Sequence, residues 1–465
     1  MVSQPQKVQV VIVGAGLSGL RAATEIHAAD LSYVVLEAME RVGGKILSVP
    51  SRDDGTALID VGAAWINDTN QSEMYALAQK YDFELVKQRA EGRNLYQDGE
   101  GNVSVLPYGS PAKLTPEQQK EFDEIANKVG EYVECSNLQN PHLGPNAAEL
   151  DSLTIAQLAE KKFGGTLVAR LFFTELAKGL VGTQPEEISA LHLIDYIKSG
   201  GGLAIMMSDG KDGGQYLRNR QGQQQFAKNL AAELHPGTVK LSHPVKSITQ
   251  SDDCVLVSTT NGKQFTADRV IVSIPTPLYP RIHFGTELPP AKKALGDSNK
   301  LGCYSKTVFV FSTAWWRDAD LSGTVNSPGL ITFSRDTVVP EDEQYSITCF
   351  HLGAPGLEWS KLKGQEKQDA VWREFNKMFR VVVDKVPEPI KVIQQDWTLE
   401  PWAWGAPSPF MVPGIMSGEP GQSIRDPVGR IHFIGSETAL VWKGYMEGAV
   451  RSGVRGAQEV METFS

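Results

Sequence analysis

The apolar positions along the chain change period several times, and each change predicts an element. Val8, Val10, Val11, Ile12 and Val13 form a β-branched run of the kind found in a strand buried on both faces. Leu20, Ala22, Ala23 and Ile26 then recur at helical spacing, and a second apolar run at 33–36 predicts the next strand. From about residue 89 to 151 the chain turns polar, with an amphipathic helix predicted over 115–134 behind the start signal Thr115-Pro116-Glu117. Helical periodicity returns over 153–182, and Gln184-Pro185-Glu186-Glu187 predicts a further helix running through Tyr196. A helix over 222–234, a strand at 239–241 and a small antiparallel sheet from 255–258, 265–267 and 269–274 follow. Residues 304–311 read as a strand apolar on both faces, 371–383 as a helix, and 390–397 and 430–434 as strands. A last helix begins after Trp442-Lys443-Gly444-Tyr445.

The connection between the first strand and the first helix carries Gly14, Gly16 and Gly19 at G-x-G-x-x-G spacing. Gly14 allows a tight turn, Gly16 lets a pyrophosphate approach the backbone, Gly19 lets helix and strand pack closely, and the helix N-terminus attracts the phosphate charge. Glu37 ends the second strand, where a carboxylate can accept from ribose hydroxyls. This context predicts a dinucleotide ligand and leaves NAD(P) and FAD both open. Downstream, Arg41, Gly43, Gly44 and Lys45 make a basic glycine loop that either meets the pyrophosphate from its other side or is an ordinary turn. In 59–66 three small residues run into Trp65, which lets a flat ring lie on backbone.

Other positions carry a choice between a structural and a functional role. Lys306 shares the period-2 register of Tyr304, Val308 and Val310, so it is either an edge lysine reaching solvent or a lysine facing an interior cavity. Glycine clusters at 200–202 and 209–214 bracket an apolar patch, Leu203 to Met207, as a cavity-lining or a flexible surface loop. Gly444, Gly448, Ser452 and Gly456 recur every four residues, a small stripe that suits close packing on a sheet or on a cofactor.

With 465 residues the chain predicts two domains, the first discontinuous: 1–88, 220–294 and 398–465 for nucleotide binding, 89–219 and 295–397 for substrate. A net charge of −10 argues against nucleic acid or an anionic membrane surface as partner. No apolar run approaches the roughly 20 residues that span a bilayer, and neither Met1 to Lys7 nor the end at Ser465 resembles a targeting signal, so a soluble, cytoplasmic protein without a membrane anchor is expected. Cys135, Cys254, Cys303 and Cys349 are scattered without metal-binding spacing, so reduced thiols and no metal are expected. A homo-oligomer is compatible with the composition.

Taken together, three stretches resemble the flavin-dependent amine oxidase family, in its monoamine oxidase branch, over essentially the whole chain. VVIVGAGLSGL with LEAMERVGGK is similar to the family's amino-terminal FAD motif, GCYSKTVFVF places Lys306 where the family has its flavin-facing lysine, and IHFIGSETALVWKGYMEGAV is similar to its carboxy-terminal FAD motif. The resemblance implies an α/β fold, with a Rossmann-like FAD-binding domain in pieces and an α+β substrate-binding domain. It implies FAD rather than NAD, held at Gly14, Ala15, Gly16, Ser18, Gly19, Glu37, Gly44, Lys45, Ala64, Trp65, Val245, Trp397, Ala406, Ser436, Glu437 and Met446. Lys306 would hold a water at flavin N5 and assist reoxidation by oxygen, Tyr445 would form one wall of an aromatic cage, and Gln215, Met207 and Phe410 would join it in contacting substrate.

Departures from the family pattern sharpen these expectations. Lys45 and Met39 stand where arginines are common, which leaves fewer guanidinium contacts. Ala406 stands where the mammalian-type enzymes bind flavin through a cysteine, so FAD is expected to be non-covalent. Pro407 replaces the second cage tyrosine, and Phe410, Trp402 or Trp404 is expected to supply that wall. The implied reaction is oxidation of a primary amine by O2 to an aldehyde or ketone, ammonia and hydrogen peroxide. Long-chain aliphatic amines such as a fumonisin are among the substrates of fungal members, though no motif assigns one. An L-amino-acid or polyamine oxidase, the former using Arg93 or Arg218 for the carboxylate, and a non-catalytic flavin-binding protein are the alternatives.

Overall fold

The computed structural model describes residues 4–110, 114–285 and 287–464; Met1 and Ser465, the chain ends considered above, lie outside it. A five-stranded, all-parallel sheet lies at its centre in the order Val239–Lys240, Tyr33–Leu36, Val10–Val13, Arg269–Val272, Ile431–Phe433. Val10–Val13 and Tyr33–Leu36 are buried along their whole length, as unbroken apolar runs such as VVIV and YVVL require, and Arg269–Val272 is buried beyond its first residue. The strands come from widely separated parts of the sequence, so the glycine turn after Val13 and the Gly435-Ser436-Glu437 turn after Phe433 emerge at the same edge, on either side of Arg269–Val272.

The chain between these strands builds three further layers. Val245–Gln250, Val255–Thr259 and Gln264–Ala267 form an antiparallel ribbon, extended at its edges by Gln6–Lys7 and His283–Phe284. Arg269–Val272, expected in this small sheet, pairs instead with Val10–Val13: both of its faces are apolar, and only the parallel sheet covers both. A seven-stranded sheet runs in the order Lys391–Gln395, Tyr304–Phe311, Tyr345–Leu352, Phe333–Asp336, Leu321–Asn326, Arg93–Gln97, Val103–Pro107. A helical layer contains Pro116–Cys135, Ile155–Lys162, Leu167–Leu176 and Ala190–Ser199, packed through one apolar cluster.

Side-chain caps from Thr115, Thr154, Thr166 and Ser189 start the four helices of this layer. Thr115 caps the long helix with a capping box through Gln118, and Pro116 occupies its first turn. The helix expected from Gln184 begins only at Ala190, because Ser189 accepts from the His192 amide and supplies the cap that Gln184 does not. Among the described residues no helix is long and apolar enough to cross a membrane.

Candidate active site

The turn from Val13 into the helix Leu17–Ala28 makes one end of a large cavity. A Cβ on Gly19 would lie 2.0 Å from the Gly14 carbonyl oxygen, so helix and turn pack there only through glycine. Gly16 is the opposite case, since a Cβ there would meet nothing within 4 Å: its side faces open space. The helix begins at Gly16 without a side-chain cap, which leaves its first amides free for an anion. The 43–44 loop is no solvated turn: the Gly43 amide donates to Ala15 O at 2.8 Å, and a Cβ on Gly44 would sit 3.4 Å from Gly16 Cα. Two glycine-rich backbones thus face one another across the same space.

Charged groups of both signs close this end. The buried Glu37 carboxylate accepts from the amides of Ala15 at 2.6 Å and Met39 at 2.8 Å; burial pushes its pKa up against those bonds and Arg41. Two acceptor positions remain for hydroxyls. Lys45 donates to Pro407 O at 3.3 Å, and burial draws its pKa down to about 8 although Glu437 opposes the shift. Glu437 accepts from the Thr276 amide at 3.0 Å and is itself pushed up by burial. The buried Ser273 hydroxyl beside the glycine turn makes no hydrogen bond among the described residues. Open glycine backbone, uncapped helix amides, a buried carboxylate and a polar orphan fit a dinucleotide, whose ribose Glu37 could meet and whose pyrophosphate Gly16 and Gly44 leave room for.

Lys306 occupies the middle of the cavity. Its strand, Tyr304–Phe311, is flanked on both sides, by Tyr345–Leu352 and Lys391–Gln395, so the lysine is no edge residue and is 4% exposed. The ammonium donates to Asp60 O at 3.0 Å and Gly62 O at 2.5 Å, and Trp397 Nε1 donates to Val61 O at 3.0 Å. Two side chains of the seven-stranded sheet region therefore grip the backbone of 60–62. An ammonium has three donors, so one is left for a water or ligand. Burial, opposed by Asp60 and reinforced by Arg218, lowers the Lys306 pKa to about 8, and burial raises Asp60 to about 6.

Beyond Lys306 the cavity is aromatic. Lys306 pairs with Phe350 across one strand boundary and Phe350 with Phe333 across the next, and the two phenyl rings stack at 4.2 Å. Tyr445 stands opposite, against Trp442 at 4.8 Å and Tyr196 at 6.2 Å; burial and Tyr304 keep its phenol neutral by raising its pKa. Gln215 lines this end and donates to Met206 O at 2.9 Å, and Met207 lines it from a short helix, Leu203–Met206, and its C-cap.

Of the residues to which the resemblance gives a flavin, catalytic or substrate role, all line this cavity except Ala15, Gly19 and Phe410. Ala15 and Gly19 act one step away, through the Glu37 bond and the helix packing. Phe410 is a correction: it is 1% exposed within the core of the helical layer, because Pro409–Phe410 pairs with Lys300–Leu301 and turns the ring inward. Trp402 and Pro407 reach the cavity, whereas Trp404 is 44% exposed and carries Arg281 over its ring. Of the two roles open to the small stripe, Gly448 and Gly456 take protein packing: they lie against Trp442 O and Ile434, where a Cβ would come within 2.3 and 2.2 Å, while Gly444 lines the cavity. Arg93 binds Asp320 and Ala319 O, and Arg218 donates to Thr337 O and Val338 O, so neither reaches the cavity.

Tyr304, Asn326, Phe333, Arg335 and Phe350 are among the lining residues that no sequence pattern marked. Tyr304 was within reach, two residues before Lys306 on the same face. The others depend on strand register, which no local pattern encodes.

The model of the family described as flavin containing amine oxidoreductase matches residues 17–461. A flavin-containing amine oxidase of Oncorhynchus mykiss is 31% identical over 455 residues, covering 97% of this chain and 85% of that protein. Among solved structures, putrescine oxidase bound to putrescine superposes with a TM-score of 0.90 at 25% identity, over 98% of this chain and 100% of that one. Cyclohexylamine oxidase from Brevibacterium oxydans gives 0.88 at 27%, over 98% and 99%.

Proposed function

The chain belongs to the flavin-containing amine oxidoreductases and is an FAD-dependent amine oxidase; from that premise we propose that it oxidises a primary amine with O2 and water to an aldehyde or ketone, ammonia and hydrogen peroxide, using non-covalent FAD. The observation that supports this reading is the continuity of one cavity from the glycine turn, past Lys306, to the aromatic end at Tyr445. Residues 1–88, 220–294 and 398–465 hold the dinucleotide in this reading, and 89–219 and 295–397 form most of the substrate end.

FAD, when bound, accepts two electrons from the amine and delivers them to oxygen. The protein's part is to admit the amine unprotonated and to orient it. Apolar and aromatic walls disfavour an ammonium by desolvation, and the Tyr445 ring face can align the amine lone pair and α-carbon. Lys306 holds a water with its third donor and places positive charge where oxygen is reduced. Its grip on Asp60 and Gly62, with that of Trp397 on Val61, keeps the two halves of the site in register. Ala406, at the cavity wall, has no sulfur with which to tether the flavin.

A long-chain aliphatic amine such as a fumonisin suits the long cavity. Peroxide release across alkylamines, arylalkylamines, α-amino acids and polyamines tests the reading, with the highest kcat/KM expected for a primary monoamine. No peroxide from any of them, in a protein that is yellow when purified, would refute it.

A further inference from the structure

One cationic side chain in this cavity has no part in the chemistry above. Arg335 lies on Phe333–Asp336 two residues from Phe333, hence on the same face, and its guanidinium sits 5.1 Å over the Phe333 ring. It lines the cavity, and 21% of its side chain is accessible. Its donors are only partly used: Nε faces Asp209 at 3.4 Å and Nη1 donates to Ser334 O at 3.0 Å, while Nη2 has no acceptor among the described residues. Asn326, opposite Phe333 on the neighbouring strand, lines the same wall, and its carboxamide also makes no hydrogen bond there.

We infer that Arg335 and Asn326 form a subsite for a carboxylate carried by the amine substrate at the end remote from the amine. This rests on the amine-oxidase reading and names its substrate class, a long-chain amino acid rather than a plain alkylamine. Other charged groups nearby have partners, though Asp209 only through one oxygen: its Oδ2 takes Arg335 and the Tyr108 hydroxyl while its buried Oδ1 has no hydrogen bond among the described residues, Glu175 pairs with Lys178 at 3.4 Å, and Arg281 lies over Trp402 and Trp404. What remains free is donor capacity, from a group that is always charged and whose planar fork matches a carboxylate.

The spacing sets the substrate's length. Arg335 is two strands and two residues from Lys306, roughly 12 Å between backbones by strand geometry. The stacked Phe350 and Phe333 rings line that path, so an alkyl chain passes over apolar surface between the reacting amine and the guanidinium. An α-amino acid is too short to reach both.

Steady-state peroxide release by the holoenzyme, wild type and Arg335→Gln, compares 8-aminooctanoate, octylamine and 1,8-diaminooctane, with calorimetric binding of octanoate as a second readout. The wild type is expected to prefer 8-aminooctanoate. Arg335→Gln should lose ~10- to 100-fold in kcat/KM for it, the size of a hydrogen bond between charged partners, and to change little with octylamine. Arg335→Lys, which keeps the charge beside Asp209, should retain part of the preference and guards against a folding defect. Equal losses for both substrates, or a wild-type preference for octylamine or the diamine, would overturn the subsite and leave the amine-oxidase reading intact. No peroxide from any substrate would sink that reading instead; octanoate binding that is lost in Arg335→Gln then upholds the anion site, and its absence from the wild type overturns it.

Discussion

Replacing Lys306 with methionine separates a chemical role from a structural one. The ammonium is buried, and the fall of its pKa from 10.5 to about 8 corresponds to roughly 3 kcal/mol of unfavourable charge burial at neutral pH. Methionine removes that cost but leaves the carbonyls of Asp60 and Gly62 without a donor, at ~1–3 kcal/mol each. The two largely offset, so the variant should fold with stability within about 3 kcal/mol of the parent. Its reaction with oxygen should not survive so well: loss of one preorganised donor to developing negative charge typically costs ~10²- to 10³-fold. The assay is anaerobic reduction by amine followed by rapid mixing with O2, with flavin absorbance as readout, beside a denaturant melt. Between pH 8 and 10.5 the unfolded lysine holds a proton that the folded one has lost, so this group makes stability rise with pH across that window; the variant lacks the increment. The same deprotonation removes the cation, so wild-type reoxidation should fall as pH rises through about 8 while the variant's stays flat. Reoxidation of Lys306→Met within about threefold of wild type would refute the oxygen role and leave only the clamp on 60–62.

Three further outcomes follow from the site. Gly16→Val has free space for its Cβ and should melt like the parent apoprotein yet purify colourless, whereas Gly19→Val, 2.0 Å from Gly14 O, should lower the melting temperature of the apoprotein itself; the reverse order would disprove the assignment of the open side to the dinucleotide. Acid precipitation should release yellow flavin into the supernatant, and Ala406→Cys should keep colour in the pellet. Colour pelleting with the parent protein would contradict non-covalent binding. Tyr445→Phe keeps the ring face and should hold kcat/KM within about threefold, while Tyr445→Ala should lose ~10²-fold in peroxide release; equal losses would shift the role to the hydroxyl.

The amino-acid sequence by itself determined the strand–glycine–helix unit, its acidic partner Glu37 and the second glycine loop, because these depend on backbone conformation and short-range pattern. It also determined that Lys306 shares a face with Tyr304, since a strand alternates sides whatever it pairs with. The sequence left undecided whether that face met solvent, and the two flanking strands decided it. Phe350 and Phe333 entered the site through register alone, as partners lying 44 and 27 residues from Lys306 in sequence. Phe410, Arg93 and Arg218 had suitable chemistry but were turned into the core or onto backbone carbonyls by their pairing. In the glycine–serine stripe, whose period suited sheet or cofactor alike, Gly448 and Gly456 pack on Trp442 and Ile434 while Gly444, just before the last helix, lines the cavity. Local pattern specifies which way a side chain points from its own backbone; what it then meets is set by strands and helices brought together from hundreds of residues away, and only the tertiary structure holds that information.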